Sequence, residues 1–450
     1  MALPEGWATA IAWLAAATGI LVLLMAFALA IGGKLGLKRW GIPEALLAGT
    51  LGLLVAPSGV LPLIPAPVMA LWDDLPLPLL TLVFATLLLG KPLPKLAGLW
   101  RPLSGQVLLA LTLAFGQYLV AGLAVLFVLQ PMLGVHPLMA CLIEVAFEGG
   151  HGSAAAMGPS YASLGFSSGE ALGLAMATVG LLAASVVGGL VVVLARRRQG
   201  LLGQGSADGG MAEAAEPAAA PGGASPPGPA AWAVNLALAG AAVLVGAAIL
   251  ELLRWLAPLL GGGFTAVVEA LPVFPLAIAG SLLVRLLLEK TGQQGLASAA
   301  VQGQVGAISA DLLITAATAC LDLSLLRHDW VSLSVLAVAG LGWNLAVVLL
   351  LAPRFLPPDW FERAIIEFGQ ATGVAASGLL LLRMADPDDR SDALPAFSIK
   401  QLLLQPFLAG GVITVVAPLA IDGWGLPAWT ALCLGLVVVW IGLGLVLGRR

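Results

Sequence analysis

The stretch Glu144-Val-Ala-Phe-Glu-Gly-Gly-His-Gly-Ser-Ala-Ala-Ala-Met-Gly-Pro159 decides the fold of this chain. Its sixteen residues include two carboxylates, a histidine, a serine and four glycines, although the surrounding sequence is overwhelmingly apolar. Lipid cannot hydrogen-bond exposed backbone, so a glycine-broken backbone at membrane depth must be enclosed by protein or by a water-filled cavity. Ionisable residues at that depth indicate a functional site.

The composition excludes a soluble protein. Of the 450 residues, 60% are hydrophobic and only 10% are charged, whereas soluble proteins average about 25% charged residues. Apolar runs of about 20 residues, each long enough to cross a ~30 Å hydrocarbon core, recur along the chain. We therefore predict an all-α polytopic protein of the plasma (inner) membrane, with lipid around it and no nucleic-acid partner. The first apolar run precedes its positive charges, so it is predicted to be a retained span rather than a signal peptide.

Eleven apolar segments are predicted as transmembrane helices. They fall near residues 7–31, 43–61, 76–91, 104–130, 170–195, 232–256, 266–288, 298–321, 330–352, 397–420 and 427–448. Two further apolar stretches, 138–160 and 362–385, are broken at their centres by glycine and polar residues. We predict that both are re-entrant hairpins.

The positive charges test this topology. If the loop with Lys34, Lys38 and Arg39 is cytoplasmic, alternation along the spans places eighteen of the twenty Lys and Arg residues, Lys400 among them, on the cytoplasmic side. The positive-inside rule expects this distribution, and counting either hairpin as a full span would break it. The N-terminus is therefore predicted outside and the C-terminus in the cytoplasm.

The two hairpins also predict an inverted-topology repeat. Five spans lie between them, so the first hairpin enters from outside and the second from the cytoplasm. Interrupted segments at matching places in two halves indicate a binding site at the membrane midplane. The first repeat is predicted at 1–198 and the second at 231–450. Gly- and Pro-rich residues 199–230 cannot form a core and are predicted to be a flexible cytoplasmic linker.

Candidate substrate-binding residues lie at the centres of both hairpins. Glycines free backbone amides and carbonyls for a carboxylate or a small cation, and the histidine, serine, threonine and glutamine side chains add hydrogen-bonding groups. The predicted residues are Gly149, Gly150, His151, Gly152, Ser153, Gln370, Thr372, Gly373 and Ser377. The alternative is structural: the glycines would allow only close helix packing, and His151 would only tie the turn together.

Three residues are predicted to couple an ion. Glu148 follows Glu144 by four residues, so both lie on one helix face. A buried carboxylate needs a partner, water or a proton, and Glu148, next to the glycines, is the stronger candidate. Glu144 lies nearer the mouth of the hairpin and is expected to be solvated. The polar span 298–321 adds Ser309 and Asp311 as further candidates for ion coupling.

Several motifs resemble the bacterial sodium/glutamate symporter family. They are Phe147-Glu-Gly-Gly-His-Gly-Ser-Ala-Ala-Ala, Leu164-Gly-Phe166, Ala175-Met-Ala-Thr-Val-Gly-Leu181, Ile42-Pro-Glu44, His136-Pro-Leu-Met139 and Phe361-Glu-Arg-Ala364. The resemblance implies a sodium-coupled glutamate carrier with two re-entrant hairpins. The second hairpin departs from the family because it lacks a Gly-His pair and a proline. Glu148 departs too, since the family has a polar, uncharged residue there, and the last span looks additional.

We therefore expect a secondary active transporter, not an enzyme, that imports glutamate or a similar small carboxylate or amino acid by sodium symport. It would need no cofactor beyond Na⁺ as the coupling ion. The alternative is a proton-coupled carrier (H⁺ in place of Na⁺) of a different organic anion or amino acid. A channel or an intramembrane hydrolase is a remote alternative. The oligomeric state stays open, with a homodimer as one option.

Overall fold

The structure, a computed structural model, describes residues 5–35, 44–57, 59–90, 100–198, 228–261, 265, 268–269, 271–320, 323–387 and 390–448. These residues form helices and contain no strand, which confirms the predicted all-α class. Within them, eight helices are long and apolar enough to cross a membrane. The chain is thus an α-helical membrane protein.

The α-helices are numbered here in chain order. Those before the predicted linker are α1 Glu5–Leu35, α2 Glu44–Val55, α3 Ala66–Asp73, α4 Pro76–Thr86, α5 Trp100–Ala124, α6 Gln130–Leu133, α7 Leu142–Phe147, α8 Gly150–Ala156, α9 Gly158–Ser163, α10 Gly169–Ala183 and α11 Gly189–Arg198. Those after it are α12 Pro229–Leu260, α13 Val273–Lys290, α14 Ala299–Ala319, α15 Leu323–Ala346, α16 Ala352–Phe355, α17 Trp360–Ala385, α18 Ala393–Leu404, α19 Val412–Trp424 and α20 Leu426–Gly448. Residues 199–227 of the predicted linker lie outside the described residues.

Four of the eleven predicted spans, 43–61, 266–288, 298–321 and 397–420, are not among the eight spanning candidates. In the first of them, α2 has only 12 residues. The α13 helix carries three charged residues in 18, and α14 is rich in polar side chains. The fourth is broken into α18 and α19, of 12 and 13 residues. The α17 helix is long enough to count as a span, although the sequence predicts a hairpin there.

The chain packs as two compact units, and each combines segments from both halves of the sequence. Unit 1 contains Met1–Pro92 and Ala215–Asp322, and unit 2 contains Leu93–Ala214 and Leu323–Arg450. The predicted repeats, in contrast, are successive halves of the sequence. That repeat division stays a prediction.

Unit 1 is built around α14, which packs against α2 and α4, while α12 packs against α13. Trp72 on α3 is fully buried and donates from Nε1 to the Ala17 carbonyl at 3.1 Å. Asn235 on α12 holds the start of α14, because its backbone oxygen accepts from Gln302 Nε2 at 2.9 Å and its Oδ1 accepts from the Ser298 amide at 2.9 Å. These hydrogen bonds pair polar groups across helices inside the apolar unit.

Unit 2 is built around α5, which packs against α15 and α20. Its apolar core includes Leu109, Leu113, Phe355, Phe368 and Leu381, all buried. The α10 helix packs against α7, α8 and α15, and its C-terminal continuation packs against α17. Unit 2 therefore holds both stretches that the sequence predicts as hairpins.

Two long helices of unit 2 contain a π-helical segment just before a proline. These segments are Val125–Leu129, followed by Pro131, and Val347–Leu351, followed by Pro353. Proline has no amide hydrogen, and its ring clashes with the carbonyl four residues earlier. The local hydrogen bonds therefore widen to five residues, as from the Ala352 amide to the Val347 carbonyl. Such bulges are frequent at functional sites.

The α17 helix is broken in its middle. Val374 has φ 64° and ψ 172°, and Gly373 has φ −152° and ψ 40°, neither of which is helical. A Cβ atom on Gly369 would lie 2.4 Å from Gly378 Cα, whereas nine residues of continuous helix would separate them by about 13 Å. The chain therefore folds back on itself at residues 373–374, and α17 consists of two short limbs.

The region between α18 and α19 is a second irregular segment. The sequence Gln405-Pro-Phe-Leu-Ala-Gly-Gly411 interrupts the predicted span 397–420. Ala409 and Gly410 have positive φ angles of 54° and 95°. The break follows from Pro406, which cannot donate within a helix, and from the two glycines, which favour non-helical backbone.

The turn after α17 is closed by Asp386. Its carboxylate accepts from the Arg390 amide at 3.0 Å, from the Ser391 amide at 2.8 Å and from Ser391 Oγ at 2.6 Å. Partial burial raises the pKa of Asp386, but these hydrogen bonds lower it more, so the pKa lies below the ordinary carboxyl value. The turn is therefore held by an ionised carboxylate.

Candidate functional site

The two broken stretches of unit 2 meet at their tips. The first turns between α7 and α8, where Gly150 has φ +69°. The second turns at Val374. A Cβ atom on Gly150 would lie 2.5 Å from Val374 Cγ1, so the backbone of the first tip contacts the side chain of the second. Val374 is β-branched and has a positive φ, a strained conformation that is typical of functional sites.

At the first tip, the His151 side chain has a hydrogen-bond partner, whereas the Ser153 side chain has none among the described residues. His151 is buried, and its Nε2 lies 3.0 Å from Thr178 Oγ1 on α10. The Thr178 hydroxyl donates to the Leu174 carbonyl at 3.1 Å, so its oxygen accepts from the protonated Nε2 of His151. Ser153 is also buried, but its Oγ has no partner among the described residues. The tip thus presents a hydroxyl without a hydrogen bond.

The second tip is braced by two amide side chains from long helices. Gln117 Nε2 on α5 donates to the Ala371 carbonyl at 2.6 Å and to Asn344 Oδ1 at 3.1 Å. Asn344 Nδ2 on α15 donates to the Ala371 carbonyl at 2.8 Å and to Thr372 Oγ1 at 3.0 Å. The last carbonyls of a broken limb have no partner within it. These side chains supply the missing donors and hold the break in place.

The remaining predicted residues of the second hairpin also lie at this break. Ser377 Oγ donates to the Gly373 carbonyl at 2.5 Å and closes the turn. Gln370 is buried, and its Oε1 has no hydrogen-bond partner within the described part of the chain. Both tips therefore contain a buried polar oxygen without a hydrogen-bond partner among the described residues, and such oxygens are uncommon in native proteins.

The predicted substrate-binding residues of 149–153 and 370–377 both belong to unit 2, where the contact between Gly150 and Val374 brings the two tips together. Ser309 and Asp311 lie on α14 in unit 1, where Ser309 is buried. Their predicted role in ion coupling stays a prediction.

The expectation that Glu144 is solvated is wrong. Glu144 is fully buried and accepts hydrogen bonds from three groups. Tyr118 Oη donates to Oε2 at 2.6 Å, the Ala409 amide donates to Oε1 at 3.1 Å, and Thr414 Oγ1 lies 3.2 Å from both oxygens. The break at 405–411 exposes backbone amides that a helix would have used internally. Glu144 receives one of them and therefore fixes the break against α7.

Glu148 has a different environment from Glu144. It is only 6% exposed, yet its Oε2 has no hydrogen-bond partner among the residues that the structure describes. The side chain lines a narrow crevice together with Lys400, Gln401, Gln405 and Ala409, and in this conformation the crevice has no room for a water molecule. A buried carboxylate oxygen without a donor is unfavourable unless it binds a proton or a cation.

Sequence reasoning missed a buried ion pair beside this crevice. Lys400 Nζ lies 2.8 Å from Glu367 Oε2, and each side chain is only 1% exposed. Gln106 Nε2 on α5 donates to Glu367 Oε1 at 2.7 Å, and Lys400 Nζ lies 4.4 Å from the centre of the Phe397 ring. The topology predicted from the positive charges places Lys400 on the cytoplasmic side. Because it is buried, it gives no support to the predicted orientation.

A string of hydrogen bonds runs from this ion pair to Glu144. Lys400 Nζ donates to Gln401 Oε1 at 3.0 Å, and Gln401 Nε2 donates to Gln405 Oε1. Gln405 Nε2 in turn donates to the Ala409 carbonyl at 3.4 Å. The Ala409 amide completes the string at Glu144. Polar contacts thus connect α17, α18, the break at 405–411 and α7.

Two signals in the sequence could have identified this network. Glu367 lies inside a predicted hairpin and Lys400 inside a predicted span, and intramembrane ionisable residues indicate function. Gln401 and Gln405, which follow Lys400, are also four residues apart, so their polar side chains lie one helical turn apart. The pairing of Lys400 with Glu367 depends on the packing of α17 against α18, which the sequence pattern does not reveal.

The chain matches no protein-family model, no curated protein and no solved structure. The resemblance to the sodium/glutamate symporters therefore remains an expectation from the sequence motifs. What the structure adds is the contact between two broken stretches in an α-helical membrane protein. Buried oxygens of Ser153, Gln370 and Glu148 have no hydrogen-bond partner among the residues it describes.

Proposed function

We propose that the chain is a secondary active transporter that moves glutamate or a similar small carboxylate or amino acid, driven by a cation gradient. The observation that carries this proposal is the contact between the Gly150 and Val374 tips. Broken helices that meet near the middle of a membrane protein form the usual substrate site of secondary transporters. The substrate would bind the Ser153 hydroxyl, the Gln370 amide and backbone groups freed at the two breaks.

The spacing of the irregular segments supports an inverted repeat. The π-helical segments Val125–Leu129 and Val347–Leu351 are 222 residues apart. The π-helical segment Ala184–Gly188 and the break that begins at Gln405 are 221 residues apart. Phe147 and Phe368, which precede the two tips, share the spacing of 221. Breaks repeated at one spacing are expected if the two halves descend from one unit.

A labelling experiment tests the inverted repeat. Single cysteines would replace Ser163, which follows the first broken stretch, and Pro387, which follows the second; both residues are exposed. In an inverted repeat the two cysteines react with a membrane-impermeant reagent from opposite sides of the membrane. Reaction from the same side would exclude the repeat and leave the contact between the tips without this explanation.

The coupling ion has two candidates. Sodium is the ion that the family resemblance implies. A proton is the second candidate. It is favoured by the Glu148 oxygen that has no hydrogen-bond partner in the described part of the chain, because one such oxygen is sufficient to bind a proton.

The geometry gives less support to the other classes. An intramembrane hydrolase would need a base within hydrogen-bond reach of its nucleophile. His151 Nε2 instead contacts Thr178, and Ser153 Oγ has no partner in the described residues. A channel would need a continuous polar path rather than two tips in contact.

Counterflow in proteoliposomes tests the proposal. Vesicles loaded with unlabelled glutamate should accumulate labelled glutamate transiently, because a carrier exchanges substrates one for one. A panel of other carboxylates and amino acids, used in the same way, identifies the substrate. Ser153→Ala should slow the exchange, and Ser334→Ala, which removes an exposed hydroxyl of α15, should not. Equal stimulation by every compound, or by none, would contradict a selective carrier.

A further inference from the structure

We propose that Glu148 is the binding site of a transported proton and that Lys400 is its built-in counter-ion. This inference rests on the proposed carrier function and names the ion that drives it. It stands on the crevice that both side chains line and on the Glu148 oxygen that has no hydrogen-bond partner within the described ranges.

The first step of the argument is a count of buried charges around the crevice. Three carboxyl groups, Glu144, Glu148 and Glu367, act electrostatically together with one ammonium group, Lys400. Glu144 is satisfied by its three donor groups, and Glu367 is satisfied by Lys400 and Gln106. Only Glu148 keeps an oxygen without a donor in the described residues. Of the three carboxyl groups, Glu148 is therefore the one in which a bound proton would satisfy an otherwise unpaired oxygen.

Other ionisable side chains near Glu148 are engaged elsewhere. Tyr118 on α5 donates to Glu144, and His151 on α8 binds Thr178. Neither can balance the charge of Glu148. The charged groups that face it are Lys400 on α18, Glu367 on α17 and Glu144 on α7.

The second step separates a proton from a metal cation. A metal cation needs several oxygen ligands, but each glutamine side-chain oxygen of the crevice already accepts a hydrogen bond. Gln401 Oε1 accepts from Lys400, and Gln405 Oε1 accepts from Gln401. A buried ammonium in the same crevice also repels any second cation. A proton needs a single oxygen, and Glu148 Oε2 is that oxygen.

The third step gives Lys400 its role. When Glu148 is protonated, it is neutral, and Lys400 remains paired with Glu367. When the O–H bond of Glu148 breaks, the electron pair stays on Oε2 and the proton passes to water on one side of the membrane. Lys400 then faces two carboxylates and can balance either. Lys400 does not cancel the charge left by the departing proton, but its attraction lowers the cost of that charge at low dielectric, which makes release possible.

Proton movement in proteoliposomes tests the site. Vesicles containing a pH-sensitive dye are given an inward gradient of the substrate found by counterflow, with the membrane potential clamped. Wild-type protein should acidify the interior as substrate enters. Glu148→Gln mimics the protonated form, so it should abolish acidification and gradient-driven uptake while substrate counterflow persists. Unchanged acidification in Glu148→Gln would overturn the proposal.

A second variant tests Lys400 without leaving a buried charge. The double variant Lys400→Met and Glu367→Gln removes both members of the ion pair, so neither partner is left charged alone. Glu148 should then bind its proton but release it at least about tenfold more slowly, because the compensating charge is gone. Counterflow should remain close to wild type. Wild-type rates of acidification in the double variant would show that Lys400 is only structural.

A spectroscopic measurement separates this inference from the carrier function. Infrared difference spectra between acidic and alkaline buffer should show the carbonyl band of a buried carboxylic acid, and Glu148→Gln should remove it. The exposed control Glu251→Gln should leave that band in place. If no compound gives counterflow but the band is present and lost in Glu148→Gln, the carrier proposal fails and the proton site stands. If the band is identical in wild type and Glu148→Gln, the proton site fails.

Discussion

Replacing Lys400 with methionine tests the buried ion pair that organises unit 2. Methionine keeps most of the length of the side chain but removes the charge that faces Glu367 at 2.8 Å. Glu367 would then keep only the hydrogen bond from Gln106 at 2.7 Å. Removing one partner of a fully buried pair leaves an uncompensated charge and typically costs about 3–5 kcal/mol. Both side chains are 1% exposed, so solvent screening does not reduce this value.

The double variant Lys400→Met and Glu367→Gln gives the matched comparison. A neutral glutamine still accepts the Gln106 hydrogen bond, so the double variant should unfold within about 1 kcal/mol of wild type. With Glu367→Gln as the other single variant, the double-mutant cycle should therefore give a coupling energy of at least about 2 kcal/mol. Lys290→Met, at an exposed position on α13, serves as the control and should change stability by less than about 0.5 kcal/mol.

The free energy of unfolding, measured by steric trapping in bicelles, decides the outcome. The expected order of stability is wild type, then the double variant close to it, and Lys400→Met well below both. A loss of under about 1 kcal/mol in Lys400→Met, or a double variant as unstable as the single one, would refute the buried pair.

Three further predictions concern the tips and the turn after α17. Gly150→Ala should cost about 2 kcal/mol because of its positive φ and its contact with Val374, and adding Val374→Gly should recover about half; no recovery in the unfolding measurement would mean that the tips do not touch. Gln117→Leu removes two donated hydrogen bonds at the second tip and should cost about 1–3 kcal/mol by the same measurement; a cost below about 0.5 kcal/mol would contradict the bracing role. The pKa of Asp386 lies below its ordinary value of 3.8. The stability that its ionised carboxylate contributes is therefore complete above that pH and is lost as the pH falls through the lower pKa of the folded state. The protection factor of the Ser391 amide, which is its exchange rate corrected for the intrinsic effect of pH, should therefore fall in acid for wild type and change little in Asp386→Asn; equal profiles would contradict the role of Asp386 in the turn.

The sequence indicated the helical membrane class and the places where the two hairpin stretches break. Glycine clusters at 149–152 and Gly373 carry that information, because lipid-exposed backbone cannot tolerate such breaks. The structure adds that the breaks meet, which follows from the packing of α7, α8 and α17 and has no local signature. The re-entrant topology itself stays a prediction.

The break at 405–411 shows why a long apolar run is a weak signal. Residues 397–420 are apolar enough to predict one span, and Pro406 with Gly410 and Gly411 marks the interruption only once the fold is known. The error about Glu144 has the same origin. Its burial depends on an amide exposed by a break 265 residues later in the chain. Contacts of this range cannot be read from local spacing.

The most direct test of the central claim is concentrative uptake by purified protein in proteoliposomes. Labelled glutamate, or the substrate identified by counterflow, is supplied outside under an inward proton gradient, an inward sodium gradient, both or neither. The account predicts accumulation above equilibrium with the proton gradient and its collapse when an ionophore dissipates that gradient. Accumulation driven by sodium alone would keep the carrier and contradict the proton site at Glu148. Entry that only equilibrates, indifferent to both gradients, would contradict the transporter itself.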